Sequence, residues 1–400
     1  MKILVVCQHY WPEPFPITDI CEALAERGHT VHVVTDIPNY PMGYIFPEYK
    51  RGKNRRQEHN GVSIFRTFTV GRRNNIFFRM LNYFSYAISS THFVRRTKED
   101  YDVVFTTQGS PVMMVNAAMV YAKKRKKKTV LYCMDLWPAS LAAGGVGENS
   151  PIYKVFHWIS NRLYHKADRI LITSRMFREY FKEQFGIGDD VIAYQPQYAD
   201  ARFDQHLPEV EKDGTTVDLL FAGNVGKAQS IPTILYAAKI LSERQNLRWH
   251  IVGDGSALED SKHLAAELGL ENVIFHGRKP VEEMPRYYAM ADAMLVTLTA
   301  DPLISLTLPA KVQSYMAAGK PILAASDGEI PKVISAAGCG FCAASEDATG
   351  LAEAVGRFLD AEDKAVFGSN ARRYYQENFT RTMCIDKLEQ ELKNACRNGN

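Results

Sequence analysis

No run of eighteen apolar residues occurs in this chain of 400, so the sequence offers no candidate transmembrane helix. The start, MKILVVCQHYWPEP, places one Lys before a short apolar run and then polar residues and Pro, which reads as a strand and not a signal peptide. Cysteine is sparse and odd in number, at 7, 21, 133, 339, 342, 384 and 396. Only Cys339 and Cys342 approach a metal-ligand spacing, and no second pair answers them, so the expectation is a reduced, cytoplasmic chain with structural thiols. The fingerprint G-x-G-x-x-G is missing after every strand signal. The first loop, QHYWPEPFPITD, has three Pro and no Gly, and VGDGSALED has only Gly253 and Gly255, which disfavours a nicotinamide oxidoreductase. No Asp-x-Asp pair ends a strand and the eleven His form no ligand spacing, so no metal is expected. Acid is also absent from Ser305 to Pro321, SLTLPAKVQSYMAAGKP.

What is present is the composition of a globular protein, 46% hydrophobic and 23% charged, in a chain long enough for two cores. Strand and helix signals alternate: KILVVCQ, ITDICEALAERG, HTVHVVTD, a helix over 77–95, DVVFTT, a helix over 111–122, KTVLYCMD, DRILITS and a helix over 175–185. That order implies a doubly wound parallel sheet. An aperiodic stretch over 194–216 reads as a linker. A second series follows through VDLLFAGNVG, LRWHIVGDG, NVIFHGRKP, AMLVTL, PILAAS and GFCA. The expected architecture is α/β, with one Rossmann-like domain over 1–200, a second over 201–374, and a terminal helix over 375–400 that packs back on the first. Two such domains face a cleft across the carboxyl ends of their strands.

Charge is unevenly divided. Residues 1–200 carry 27 Lys and Arg against 18 Asp and Glu; the rest carry 21 against 27. The excess concentrates in 72–96 and in the run KKRKKK at 123–128. A basic stretch interleaved with Phe and Tyr fits an anionic membrane surface, and it fits equally a core helix with Arg at its ends. Nothing in the pattern points to nucleic acid.

Two segments of the second half carry chemistry. In FAGNVGKAQSIPTIL a buried strand runs into Gly223, Asn224, Gly226 and Lys227 before a helix opens near Ser230, an arrangement that seats a phosphate on backbone N–H groups. In the acid-free segment, Thr307-Leu308-Pro309 reads as cap and first turn of a helix beginning near Ala310. Val312, Tyr315 and Met316 form its buried stripe, Lys311 and Ser314 share the neighbouring face, and Lys311 and Lys320 are read as pointing to the ligand.

With MKILVVCQHYWPEP, LAERGHTVHVVTDIPNYP, DLWPAS, FAGNVGKAQ, IVGDG, VIFHGRKP, YMAAGKPILA and GEIPKVI in this order, the chain resembles glycosyltransferase family 4, the retaining GT-B transferases. Within it the nearest likeness is to bacterial surface-polysaccharide transferases of the N-acetylfucosamine type. The resemblance implies a UDP-sugar donor on the second domain and an acceptor, a polyprenyl-diphosphate-linked saccharide, on the first, at the inner face of the cell membrane. It needs no metal or other cofactor. Lys227 and Lys311 would stabilise the leaving diphosphate, and Gly223, Asn224, Gly226, Gly253, Asp254, Arg278, Leu308, Ser314 and Glu329 would line the donor site. Asp135 stands where the family often has a sugar-binding His; it is read either as a catalytic carboxylate or as a cap on the turn before Trp137-Pro138. Tyr10, Glu13, Tyr40 and Gln108 are the acceptor-side expectations. The chain departs from the family at Leu306 and Ser314, where two Glu are usual. The competing readings are a UDP-sugar 2-epimerase of the same fold, which would need acid and base groups around the sugar, and a non-catalytic binding protein.

Overall fold

A computed structural model describes residues 1–73, 75–143 and 145–397. They form two compact units: Met1–Thr173 with Phe177–Gln195 and the chain from Ile385, and Ser174–Met176 with Pro196–Cys384.

The first unit holds an eight-stranded sheet in the order β3-β4-β2-β1-β5-β6-β7-β8. Its strands are β1 (Lys2–Val6), β2 (Thr30–Thr35), β3 (Arg56–His59), β4 (Val62–Arg66), β5 (Val103–Gln108), β6 (Lys128–Cys133), β7 (Arg169–Ile172) and β8 (Ile192–Tyr194). All pairings are parallel except β3 with β4. That hairpin turns on Asn60 and Gly61, both at positive φ, an Asn-Gly signal that the alternation reading passes over. Helices α1 (Ile17–Glu26), α2 (Ile76–Arg96), α3 (Asn116–Arg125), α4 (Ala139–Ala143), α5 (Pro151–Tyr164) and α6 (Phe177–Phe185) connect the strands.

The second unit holds β9 (Val217–Ala222), β10 (Leu247–Val252), β11 (Val273–Gly277), β12 (Ala293–Thr297), β13 (Ile322–Ala325) and β14 (Gly340–Ala343), parallel throughout in the order β11-β10-β9-β12-β13-β14. Its helices are α7 (Ile231–Ile240), α8 (Leu258–Glu267), α9 (Met284–Met290), α10 (Ala310–Ala317), α11 (Glu329–Ala337), α12 (Ala348–Leu359) and α13 (Ala365–Asn378). Strand neighbours serve opposite cores: Leu219, Phe221 and Leu295 pack on one face with Trp249, and Leu220, Ala222 and Met294 on the other with Tyr315. Burial on both faces is why these strands read as unbroken apolar runs.

Residues 375–384, expected with the terminal helix, stay with the second unit, because Tyr375 and Phe379 are buried in its core and Arg372 pairs with Asp204 at 2.7 Å. From Ile385 on, the last helix, α14 (Arg381–Arg397), belongs to the first unit: Glu389 meets Arg27 and His29 at 2.9 Å each, and Glu391 meets Arg169 at 2.8 Å.

In both sheets the chain works outward from a central strand and then returns to its other side, so the order reverses between β1 and β5 and again between β9 and β12. Loops leaving the carboxyl ends of such a pair diverge and leave a crevice between them.

Candidate functional site

The crevice of the second unit is built on its backbone. Tyr315 of α10 ties the helix to the end of β9: its hydroxyl accepts from the Ala222 N–H at 3.1 Å and donates to the Ala222 carbonyl at 3.0 Å. Next, Gly223 (φ +145°) and Gly253 (φ +149°) adopt backbone that side chains disfavour. A Cβ on Gly253 would stand 1.8 Å from the Gly223 carbonyl oxygen, and one on Gly223 would stand 3.0 Å from Lys311 Nζ. The two loops are locked by Val225 N–H to the Asp254 carbonyl at 3.0 Å and Ala257 N–H to the Val225 carbonyl at 2.9 Å. The Asn224 amide lies against both Gly226 and Gly255.

Lys311 completes the seat. Its ammonium donates to Gln229 Oε1 at 2.6 Å and sits 4.0 Å over the Phe221 ring. It has no carboxylate partner among the described residues, and burial alone pulls its pKa down to about 7. Its helix opens at Pro309 with no side chain over the first turn. Thr307, the expected cap, donates instead to the Ile304 carbonyl at 2.6 Å and closes the short turn Ile304–Leu306. Uncapped N–H groups, the positive end of α10 and an unpaired ammonium make a site for an anion.

The remaining donor-side expectations scatter. Lys227 is exposed at the start of a short 3₁₀ turn, and Arg278 is exposed just past β11. Asp254 accepts from the Gly255 N–H at 2.7 Å. Ser314 donates back to the Ala310 carbonyl at 3.1 Å. Leu308 is a core residue whose side chain cannot meet a ligand. Lys320 does not point to the seat: it donates to the Ala289 and Ala291 carbonyls at the amino ends of the strands, and burial holds its pKa at about 8. Glu329 is buried and accepts from the Arg175 N–H at 3.3 Å.

In the first unit the polar residues after the strands are consumed by one another. Glu13, expected to meet an acceptor, is buried; one oxygen accepts from the N–H groups of Asn39 (2.7 Å) and Tyr40 (2.6 Å), and the other lies 2.9 Å from His9 Nδ1. Asp36 and Arg66 are buried beside them, and burial, reinforced by the Glu13 charge, pushes the Asp36 carboxyl well up. His9, Glu13 and Asp36 are the one group among the described residues with metal-like clustering, a set the linear spacing does not reveal. Their donor atoms are engaged in the knot just described. Tyr10 and Gln108 are fully buried too. The Gln108 amide donates to the Gly109 and Asp135 carbonyls at 2.8 Å, and its oxygen accepts from the Tyr164 hydroxyl at 3.0 Å. Neither can meet an acceptor. Asp135 is half-buried, and Ser110, Ser140 and the Trp137 indole N–H, the last at 3.1 Å, donate to its oxygens. Tyr40 is half-buried, tilted against Phe15 with centroids 5.1 Å apart, and is the one acceptor-side expectation with exposed surface.

Gln229 and Tyr315 escape the sequence reading. Tyr315 appears only as part of an apolar stripe, and nothing in the local sequence pairs Gln229 with a residue 82 positions on.

Both halves of the chain match known protein families. Residues 17–196 match the glycosyl transferase 4-like domain and residues 203–374 match glycosyl transferases group 1. The chain is 28% identical over 342 residues to a putative colanic acid biosynthesis glycosyl transferase, WcaI, of Escherichia coli, covering 80% of this chain and 82% of the relative. It is 26% identical over 273 residues to a probable glycosyltransferase, WbjE, of Pseudomonas aeruginosa, covering 65% and 67%. Among solved structures, Anabaena HepE in complex with UDP superposes with a TM-score of 0.73 at 15% identity, over 98% of this chain and all of that one. WaaG, a lipopolysaccharide glycosyltransferase, superposes at 0.67 and 16%, over 98% and 99%. The fold is that of the GT-B glycosyltransferases.

Proposed function

Since its two halves belong to the 4-like and group 1 glycosyltransferase families, we propose that this chain moves a sugar from a UDP-sugar to a lipid-linked saccharide in cell-surface polysaccharide synthesis, with retention at the anomeric carbon. The observation that carries the reading is Lys311, an ammonium without a carboxylate, set between a glycine turn and an uncapped helix. Such a site takes the diphosphate of the bound donor and the one further negative charge that develops on it as it leaves, and donors fixed before reaction pay no reorganisation as that charge grows. The acceptor oxygen bonds to the anomeric carbon as the bond to the diphosphate breaks; UDP leaves with the electron pair, and the acceptor's hydroxyl proton passes to the leaving diphosphate oxygen.

No divalent cation is required in this reading, because cations and N–H groups already face the diphosphate and residues 302–321 hold no carboxylate to ligate one. Leu306 and Ser314 offer the donor fewer polar contacts than two Glu would, which favours a deoxy or N-acetylated amino sugar. The UDP complex of HepE supports the donor class, and the relative named for colanic acid biosynthesis supports the pathway class. The test is incubation with a panel of UDP-sugars and a polyprenyl-diphosphate saccharide in EDTA, with the product anomer assigned by NMR. Retained α or β configuration and full activity in EDTA are expected; an inverted product, strict metal dependence, or conversion of the UDP-sugar without acceptor would reject the proposal.

A further inference from the structure

Outside the sites already described, the first unit has a face whose charge and apolar surface are both unbalanced. Helices α2 and α5 contain not one Asp or Glu in 35 residues, yet carry Arg79, Arg95, Arg96, Lys154 and Arg162. Among the described residues none of these five forms an ion pair with a carboxylate, and neither does Lys166 just beyond α5. Elsewhere in the chain, by contrast, cations are widely paired, as in Lys128 with Asp168, Arg169 with Glu391 and Lys212 with Asp292.

The same two helices expose large apolar side chains at helical spacing. Phe77, Leu81, Phe84 and Ile88 follow one another along α2 at intervals of four, three and four, and Ile152, Val155 and Trp158 along α5 at intervals of three. Ile88 is 69% and Trp158 59% exposed. These seven are nearly half of the exposed large apolar residues of the whole described chain, although the helices hold under a tenth of it, so the pattern is a patch and not scatter.

A groove of about 570 Å³ joins the two helices. Ile88, Met113 and Trp158 line its apolar part, and Arg95, Arg162 and Lys166 stand around it. The cations are crowded: Lys166 is held below the ordinary lysine range by partial burial and by the neighbouring charges of Arg162 and Lys123. Arg162 lies over the Trp158 ring, 5.4 Å from its centroid.

We propose that the α2–α5 face is a docking surface for an anionic lipid bilayer, with Phe77, Leu81, Phe84, Ile88, Val155 and Trp158 entering the headgroup region and the Arg and Lys side chains meeting lipid phosphates. The chemistry selects this occupant. Apolar side chains ringed by unpaired cations match a surface that is hydrocarbon below and phosphate above. A second copy of the chain in the same orientation would set cation against cation with no acid on either side, so self-association through this face is disfavoured. The inference rests on the first unit alone and stands whichever sugar the second unit uses. It would place the enzyme where a lipid-linked acceptor resides.

The test uses the full chain and co-sedimentation with vesicles, without any sugar nucleotide. Vesicles of 30% phosphatidylglycerol in phosphatidylcholine should bind at least tenfold more tightly than pure phosphatidylcholine, with affinity falling steeply as salt is raised. Arg95→Glu with Arg162→Glu should lose at least tenfold of that binding. Ile88→Ser with Trp158→Ser, on exposed positions that leave the core intact, should lose about as much. Trp fluorescence should shift to the blue on adding the anionic vesicles, and that shift should disappear in Trp158→Phe. Transfer to a water-soluble, short-chain acceptor should stay at the wild-type level in every variant, so failure of the docking surface and failure of the catalytic reading give different results. Equal binding to neutral and anionic vesicles, unchanged binding by the charge-reversed variant, or a wild-type dimer that the same variant dissolves would each overturn the proposal, the last by showing the face to be an interface between copies.

Discussion

The two units share one architecture and treat the carboxyl ends of their strands in opposite ways. In the second, the first turn of α10 has no side-chain cap and the Lys311 ammonium meets the Gln229 amide, with no carboxylate beside it among the described residues. In the first, the corresponding loops are filled: Glu13, His9, Asp36 and Asn39 bond to one another, and Ser110, Trp137 and Ser140 close on Asp135. A polar residue after a strand is thus no guide to binding by itself. What separates the units is whether the charge has a partner, since a buried and satisfied group is scaffolding whereas a buried and unpaired one is kept for a ligand.

Substitutions can sharpen this contrast. Lys311→Met, which keeps the stem and removes the charge, should lower kcat/KM by about a hundredfold to a thousandfold with the melting temperature held or raised; an effect below tenfold would put the diphosphate elsewhere. Glu13→Ala should act in the reverse sense. It strands the buried N–H groups of Asn39 and Tyr40 and should cost about 3 kcal/mol of stability by urea titration, leaving UDP affinity as it was.

The depressed pKa of Lys311 sets a pH dependence. The free site is charged below about pH 7 and loses its proton above it, so UDP affinity by calorimetry should weaken above pH 7, by at most about tenfold per unit, and the slope should vanish in Lys311→Met. Because the unfolded chain keeps this lysine protonated further up, the unliganded fold should gain stability from this group as pH rises from about 7 toward the ordinary lysine range. Lys227→Ala removes an exposed charge that solvent already screens, and about a tenfold loss in kcat/KM is expected, less than for Lys311. Smallest of all, Tyr10→Phe should change acceptor KM by less than twofold, because the ring is fully buried.

Much of the second unit was legible. Gly223 and Gly253 mark their turns because a backbone at positive φ that another chain segment touches at van der Waals distance excludes side chains, and that exclusion is written as Gly. The absence of acid around Lys311 is likewise visible in the linear text. Leu308 misled because its side chain turns to the core although its neighbours in the sequence sit at the site, and Lys320 because it lies at the amino ends of the strands, beyond the helix that carries Lys311. Glu13 and Gln108 misled for a related reason, since the text shows a polar group but not the partner that consumes it, and Tyr10 misled because its ring is buried in the core.

The sequence alone therefore determined the alternation of buried strands and helices, the two-unit division and the glycine turns, because each is enforced by neighbours close along the chain. Tertiary structure decided which charges remain unpaired and which helix faces remain uncovered, from Lys311 against Gln229 to Ile88 beside Trp158. Those outcomes depend on residues tens of positions apart arriving at hydrogen-bond or contact distance, and no local pattern encodes that arrival.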